Sequence, residues 1–281
     1  MVSRTAISLG ICLFVALPAA AQDVVRFDTS IGSFDMVLNP TNNPLLQEHA
    51  DNMLRYVEEN HYNGSWINRA NENFVLQMGG FFSHTKRPPL TIASTRPVAP
   101  FAPVEGEPAE TIEGLSNTVG TVALALPGGA GGTDQDAGTS SFFVNLTSNA
   151  FLDRDFTVFA AVPDMTVINQ IMALMQVDKT TDAAFGAGAG NLAFSDIPLQ
   201  ANGHQVFINR AFVLNDPLMI ARARAGVEST MELSAQTAGG ESSSISLAAS
   251  AAPEPSTVSL IAAGLFGAAA LRQRGNRRRR W

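Results

Sequence analysis

The sequence reads as a mainly β protein: a closed eight-stranded antiparallel β-barrel flanked by two α-helices. Three observations carry that reading. Short apolar runs of strand length recur between Gly, Pro, Asn and Ser clusters; only two segments place apolar residues at helical spacing; and about eight short strands leave no exposed edge once the sheet closes on itself.

The elements follow in order. Val24–Phe27 and Ser33–Leu38 read as a hairpin turning at Ile31-Gly32, with Phe34, Met36 and Leu38 alternating as one buried face. Pro44 suits a first helical turn, and Leu46, Ala50, Met53, Leu54 and Val57 then recur at helical spacing until Asn60. Trp66–Arg69 and Phe74–Met78 read as two further strands, ended by Gly79-Gly80. Phe81–Glu113 is Pro-rich, which breaks any ladder, so it reads as a long surface excursion. Strands over Thr121–Leu126 and Phe142–Leu146 bracket the Gly-rich loop "PGGAGGTDQDAGTS". Val158–Val162 is another strand, Val167–Met175 a second amphipathic helix, and Gln205–Leu214 the closing strand.

Both ends read as processing segments around this domain, which spans 22–217. Residues 1–21 combine Arg4, the apolar run Ala6–Leu17 and a small-residue cleavage site, the pattern of a secretory signal peptide. Residues 218–252, rich in Ser, Ala and Gly, have the composition of a flexible linker. Residues 253–281 run from Pro-Glu-Pro through the apolar stretch Val258–Leu271 to a tail with six arginines. A helix over that stretch spans about 21 Å at ~1.5 Å per residue, short of a ~30 Å hydrocarbon core. The arrangement resembles the PEP-CTERM sorting signal of Gram-negative bacteria. That resemblance implies signal peptidase and an exosortase-type protease as processing partners, transient membrane association, and a final place in the periplasm, outer envelope or extracellular matrix.

Charge and cysteine content exclude several functions. Seven of the 18 Lys and Arg lie in the two ends, whereas all 25 Asp and Glu lie within 22–257, which leaves 11 positive against 25 negative groups, a formal −14. Such a surface repels phosphate backbones, so no nucleic-acid partner is expected. The only cysteine, Cys12, lies in the signal segment, so the mature chain has neither disulfide nor thiol nucleophile.

Other motifs fall short. The Gly-rich loop lacks the Gly-Lys-Ser/Thr end of a phosphate loop, and Asp134 with Asp136 lack the rest of an EF-hand calcium loop. His49, His61, His84 and His204 show no metal-ligand spacing, and most of them read as surface or capping groups. No metal, nucleotide or redox cofactor is implied.

The stretch "NRANENFVLQMGG", Asn68 to Gly80, is the anomaly. A buried strand normally excludes an arginine and a glutamine, because burying a charge or an amide without partners costs several kcal/mol. Arg69 and Gln77 therefore mark a pocket wall. This stretch, together with "FDTSIGSFDMVLNPTNNP" (Phe27–Pro44), "SNTVGTVALA" (Ser116–Ala125) and "GTSSFFVNLTSNAFLDRDFTVFAAV" (Gly138–Val162), resembles the cyclophilin family of peptidyl-prolyl cis-trans isomerases, in the order the family uses, over about Val24 to Leu214.

The resemblance implies a cyclophilin-like barrel and, residue by residue, a site. Arg69 would be the catalytic cation, Gln77 its orienting neighbour and substrate contact, and Phe74 part of the wall for the proline ring. Val75, Ala125, Leu126, Ser141, Phe143, Phe151, Leu152 and Phe156 would complete the substrate surface. Departures fall at Asn68, where the family usually has histidine; at Ser141, for a second glutamine; at Leu126, for asparagine; and at Phe156, for a rim histidine or tyrosine. Phe151, for a tryptophan found in many members, implies weak cyclosporin binding. The implied function is an exported monomeric isomerase of X–Pro bonds that assists protein folding. The alternative is a catalytically weak module that binds proline-containing polypeptides in the envelope or matrix.

Overall fold

A computed structural model of the chain describes residues 22–83, 95–107, 115–129, 132–181 and 192–239. The signal segment, residues 84–94 and 108–114, and the Pro-Glu-Pro region with Val258–Leu271 lie outside the described residues. Eight strands form one antiparallel sheet: β1 (Val24–Thr29), β2 (Ser33–Leu38), β3 (Arg69–Ala70), β4 (Val75–Met78), β5 (Thr121–Leu124), β6 (Phe142–Asn145), β7 (Val158–Ala161) and β8 (Ile208–Val213). Their order is β8-β1-β2-β7-β5-β6-β4-β3.

The sheet curls until its edges meet, but not through a full ladder. Trp66 bridges Phe207, Gly64 N donates to the Ile208 carbonyl at 2.7 Å, and Ile67 N donates to the Val206 carbonyl at 3.0 Å. The segment before β3 stitches the barrel shut, so the expected closed barrel is slightly overstated: closure is by stitches, not by paired edge strands.

Alternation along β1 and β2 sets the interior. Val25 pairs with Met36 and Phe27 with Phe34, and the two phenylalanine rings stack at 5.2 Å. Phe142 and Tyr62 complete this aromatic centre, at 5.5 and 5.8 Å from Phe27. Outward from the same strands, Arg26 forms a bidentate pair with Asp35, at 2.7 and 2.8 Å. The turn is tied by Thr29, whose Oγ1 accepts from the Ile31 and Gly32 amides.

Helix α1 (Gln47–Glu58) follows a short 3-10 turn at Pro44–Leu46, where the Asn43 side chain caps the Leu45 amide. It buries His49, Ala50, Met53, Tyr56 and Val57, continuing from the buried Leu46 of the turn before it. The expectation of surface or capping histidines fails at His49. The i, i+4 stripe that carries Met53 also carries His49 inward, where its ring stacks on Phe159 and its Nδ1 has no partner among the described residues.

Burial lowers the His49 pKa to about 4. Between pH 6.5 and 4 the unfolded chain binds a proton that the folded protein refuses, so stability is present above this window and lost as the pH falls through it. The expected loss between pH 7 and pH 4 is about 3 kcal/mol from this residue. Urea unfolding of the wild type and His49→Leu at several pH values checks it, because the variant lacks that component of the slope.

Helix α2 spans Thr166–Met172, shorter than expected, because Met175–Val177 leaves the helix and pairs with Ile197–Leu199. A third helix, α3 (Pro217–Gly239), occupies the start of the segment read as a flexible linker. Its signal is local: the Asp216 carboxylate accepts from the Leu218 and Met219 amides ahead of an Ala- and Leu-containing run, with Pro217 in the first turn. Ala223 and Val227 of α3 are buried against Val24, Val37, Ala161 and Leu214, on the outside of β1, β2 and β7. Arg224 also donates to the Gln22 carbonyl. Among the described residues no helix is long and apolar enough to cross a membrane.

The Pro-rich stretch is less loose than expected where it is described. Phe81–Ser83 pairs with Thr95–Pro97, and Val98 and Val104 are buried. Phe101 N donates to the Tyr56 hydroxyl at 2.7 Å, and the Arg55 guanidinium lies 3.7 Å from the centre of the Phe101 ring. Asp134 and Asp136 also hold backbone rather than a cation: Asp134 caps the Gln135–Ala137 turn and Asp136 accepts from Gly106 N.

Candidate active site

Strands β3, β4 and β6 place the anomalous polar residues in one row. Arg69 lies opposite Gln77, Gln77 opposite Phe143, and Phe143 opposite Ala123 of β5. Directly paired residues of an antiparallel sheet share a face. The row Met78, Phe142 and Leu124 points the other way, toward the Phe27 interior, so Arg69, Gln77 and Phe143 stand on the outer face of the barrel.

Arg69 is only 4% exposed. Its Nε donates to Ser195 Oγ at 3.0 Å, and its Cζ lies 5.3 Å from the centre of the Phe74 ring. The two terminal nitrogens have no hydrogen-bond partner among the described residues. Desolvation pulls the Arg69 pKa below the usual arginine value, and the Asp196 carboxylate offsets part of that pull. Arginine starts so far above neutrality that the group stays a cation. A buried cation with one neutral tether and two open N–H forks is poised to act on something brought to it.

The aromatic wall has two parts. Phe74 stacks on Phe151 with centroids 6.1 Å apart, and Phe151 is 53% exposed, so this pair forms an outer lip. Phe143 meets Phe156 edge-on at 5.6 Å, and both are buried. Gln77 Nε2 donates to Ser141 Oγ at 3.3 Å, and Ser141 Oγ donates weakly to the Met78 carbonyl at 3.4 Å. Gln77 is therefore tied to Ser141, not to Arg69. The Arg69 guanidinium has its hydrogen bond with Ser195, while Gln77, its paired neighbour across β3 and β4, has its own with Ser141.

The remaining expected residues surround this row. Ala125 N donates to the Ser141 carbonyl at 2.8 Å, which extends the β5–β6 pairing beside Gln77. Val75, Ala125, Leu126 and Leu152 are buried in the same core cluster as Phe143 and Phe156. Asn68 is fully buried and donates to the Ala193 carbonyl at 2.7 Å.

A buried polar network behind the wall was not anticipated. Asn145 Nδ2 donates to Asn117 Oδ1 and Thr121 Oγ1, both at 3.0 Å, and Asn145 Oδ1 accepts from Asn149 Nδ2 at 2.8 Å. Asn149 also donates to the Phe74 carbonyl at 3.1 Å. Asp153 accepts from the Asn117 amide and side chain, both at 2.8 Å, and Asn117 donates to the Phe156 carbonyl at 3.3 Å. The network ties the backbone of Phe74 to the segment bearing Phe151, Leu152 and Phe156. Asparagines at 117, 145 and 149, in and beside the apolar runs of β5 and β6, are its trace in the sequence.

The site thus sets a tethered guanidinium beside stacked aromatics on the outer face of an antiparallel barrel. Residues 24–185 match the cyclophilin type peptidyl-prolyl cis-trans isomerase family, and residues 251–279 match the PEP-CTERM protein-sorting motif, which marks the chain for export. Over 177 residues the chain is 33% identical to a peptidyl-prolyl cis-trans isomerase of Acinetobacter baylyi, covering 61% of this chain and 82% of the relative. It is also 33% identical over 144 residues to peptidyl-prolyl cis-trans isomerase A of Dickeya dadantii, covering 50% of this chain and 65% of that one. A solved cyclophilin type isomerase of Cryptosporidium parvum aligns over 70% of this chain and 99% of its own, at 16% identity and a TM-score of 0.48. The chain belongs to the cyclophilin family of peptidyl-prolyl cis-trans isomerases.

Proposed function

We propose that the chain is an exported isomerase that accelerates rotation about X–Pro bonds in unfolded or extracellular proteins, with Arg69 as its catalytic residue. The observation that carries this reading is the Arg69 guanidinium, buried to 4% exposure, tethered through Nε alone and beside the Phe74 ring.

The chemistry needs no nucleophile and no general base. Amide resonance sets a barrier of about 18–20 kcal/mol to X–Pro rotation. Twisting the bond localises the lone pair on the imide nitrogen. A guanidinium N–H reaching that nitrogen, or the carbonyl before it, binds the twisted state more strongly than either planar isomer. Phe74, Phe143 and Phe156 supply the apolar surface for the proline ring, and Gln77, held by Ser141, supplies an amide for the substrate backbone. Phe151, Leu152, Val75, Ala125 and Leu126 shape the surface on either side.

The sorting motif supports export and exosortase-type processing; on this reading clients are met in the periplasm, outer envelope or matrix, and the chain acts as a monomer. A second reading, a proline-segment binding module with weak turnover, draws support from the engagement of Gln77 with Ser141, which uses the amide internally. Exchange NMR of short X–Pro peptides with several residues before the proline tests the first reading. Acceleration supports it, while line-broadening that reports binding without exchange favours the module.

A further inference from the structure

We propose that Ser195 is a positioning residue for the catalytic cation, and that the segment Ala193–Asp196 is a clip that aims Arg69. This rests on the reading of Arg69 as the catalytic residue. The clip lies beyond the 24–185 span shared with the family.

The clip runs along the open side of β3 and grips four successive residues. Asn68 Nδ2 donates to the Ala193 carbonyl at 2.7 Å, Arg69 Nε to Ser195 Oγ at 3.0 Å, Ala70 N to the Asp196 carbonyl at 2.9 Å, and Asn71 Nδ2 to Asp196 Oδ2 at 2.9 Å. The clip is itself anchored, because Ala193, Phe194, Ile197 and Leu199 are buried with Trp66, Phe81 and Phe207 in a separate apolar cluster. Phe194 stacks on Trp66 at 6.0 Å. Asp196 takes a positive φ of 55°, which turns its carbonyl to Ala70 while its side chain reaches Asn71.

The hydroxyl's protons and lone pairs settle its role. Ser195 Oγ lies 3.0 Å from the Leu192 carbonyl, to which it must donate, since a carbonyl oxygen only accepts. With its one proton committed, Oγ offers Arg69 Nε a lone pair of fixed direction. The acceptor is neutral, so the tether fixes the plane of the guanidinium without cancelling its charge. The nearby carboxylate is turned aside, since Asp196 Oδ2 is bonded to Asn71 and forms no ion pair with Arg69 among the described residues. A carboxylate tether would hold the same plane but weaken the cation's pull on a substrate nitrogen.

The test compares wild type, Ser195→Ala, Ser195→Thr and Arg69→Ala by exchange NMR on an Ala-Pro peptide, alongside the exchange rate of the Arg69 Nε proton with solvent. The expected result is a fall of roughly tenfold in kcat for Ser195→Ala with KM within about twofold, because aim matters most in the twisted state. Ser195→Thr, which keeps the hydroxyl, recovers most of that loss. The Nε proton exchanges slowly in wild type and Ser195→Thr and quickly in Ser195→Ala. An unchanged kcat with a protected Nε proton in Ser195→Ala overturns the proposal, and so does an equal loss in both Ser195 variants, which marks packing rather than the hydroxyl as the cause. If Arg69→Ala keeps wild-type turnover, the catalytic reading of Arg69 fails, while the Nε exchange still reports whether Ser195 holds the side chain.

Discussion

Replacing Arg69 by alanine is expected to lower the turnover of an X–Pro peptide by about 10²–10³-fold, the usual effect of deleting one preorganised donor aimed at transition-state charge. Peptide affinity is expected to fall far less, by under about tenfold, because the aromatic wall remains. The fold should survive. Arg69 has no buried carboxylate partner to orphan, only the Ser195 hydroxyl, so its removal also relieves the desolvation that lowers its pKa. Arg69→Lys is expected to rescue little: an ammonium lacks both the Nε–H that meets Ser195 and the planar fork left free for substrate. Turnover by exchange NMR, affinity by titration and a thermal melt of each variant check the three statements together. Turnover within threefold of wild type in Arg69→Ala would remove the guanidinium from the mechanism.

The second large effect falls on stability. Asn145→Ala is expected to destabilise the fold by about 3–5 kcal/mol, since it strands buried groups on Asn117 and Asn149 and removes the donor to the half-buried Thr121 hydroxyl. The site should suffer with it. Asn149 loses an anchor, and Asn149 holds the Phe74 carbonyl, so KM is expected to rise even at temperatures where the variant remains folded. Urea unfolding measures the first effect. KM at low temperature measures the second, and an Asn145→Ala protein with wild-type KM would show that the wall does not depend on the network.

Legibility in the sequence followed the range of the interactions. The β1–β2 hairpin could be read because its alternation is local and one face is buried, and Arg69 and Gln77 stood out because a charge and an amide interrupt an apolar run. Helix α3 was hidden by composition: a Ser/Ala/Gly average over 218–252 drowned the cap at Asp216, which fixes the helix start within three residues. His49 was misplaced because a histidine's burial depends on which stripe of α1 meets the barrel. Ser195 could not be read at all, since its bond to Arg69 joins residues 126 apart and a lone serine in a loop carries no periodicity. The family resemblance supplied the row of site residues, but none of its quoted motifs includes Ser195, the partner of the guanidinium.

The covered flank of β3 has a consequence for what the enzyme can release. Unfolded clients arrive as extended chains, and an extended chain readily adds itself to any open sheet edge, where backbone bonds accumulate with every residue. A bare β3 would offer such an edge beside Arg69, and a client caught there would leave slowly, whatever its sequence. Here the Ala70 amide is already engaged by Asp196, and Gly64, Ser65 and Ile67 are engaged by 206–208. The flank of β3 is thus closed to backbone addition, and an extended chain arriving there meets amides that are already paired.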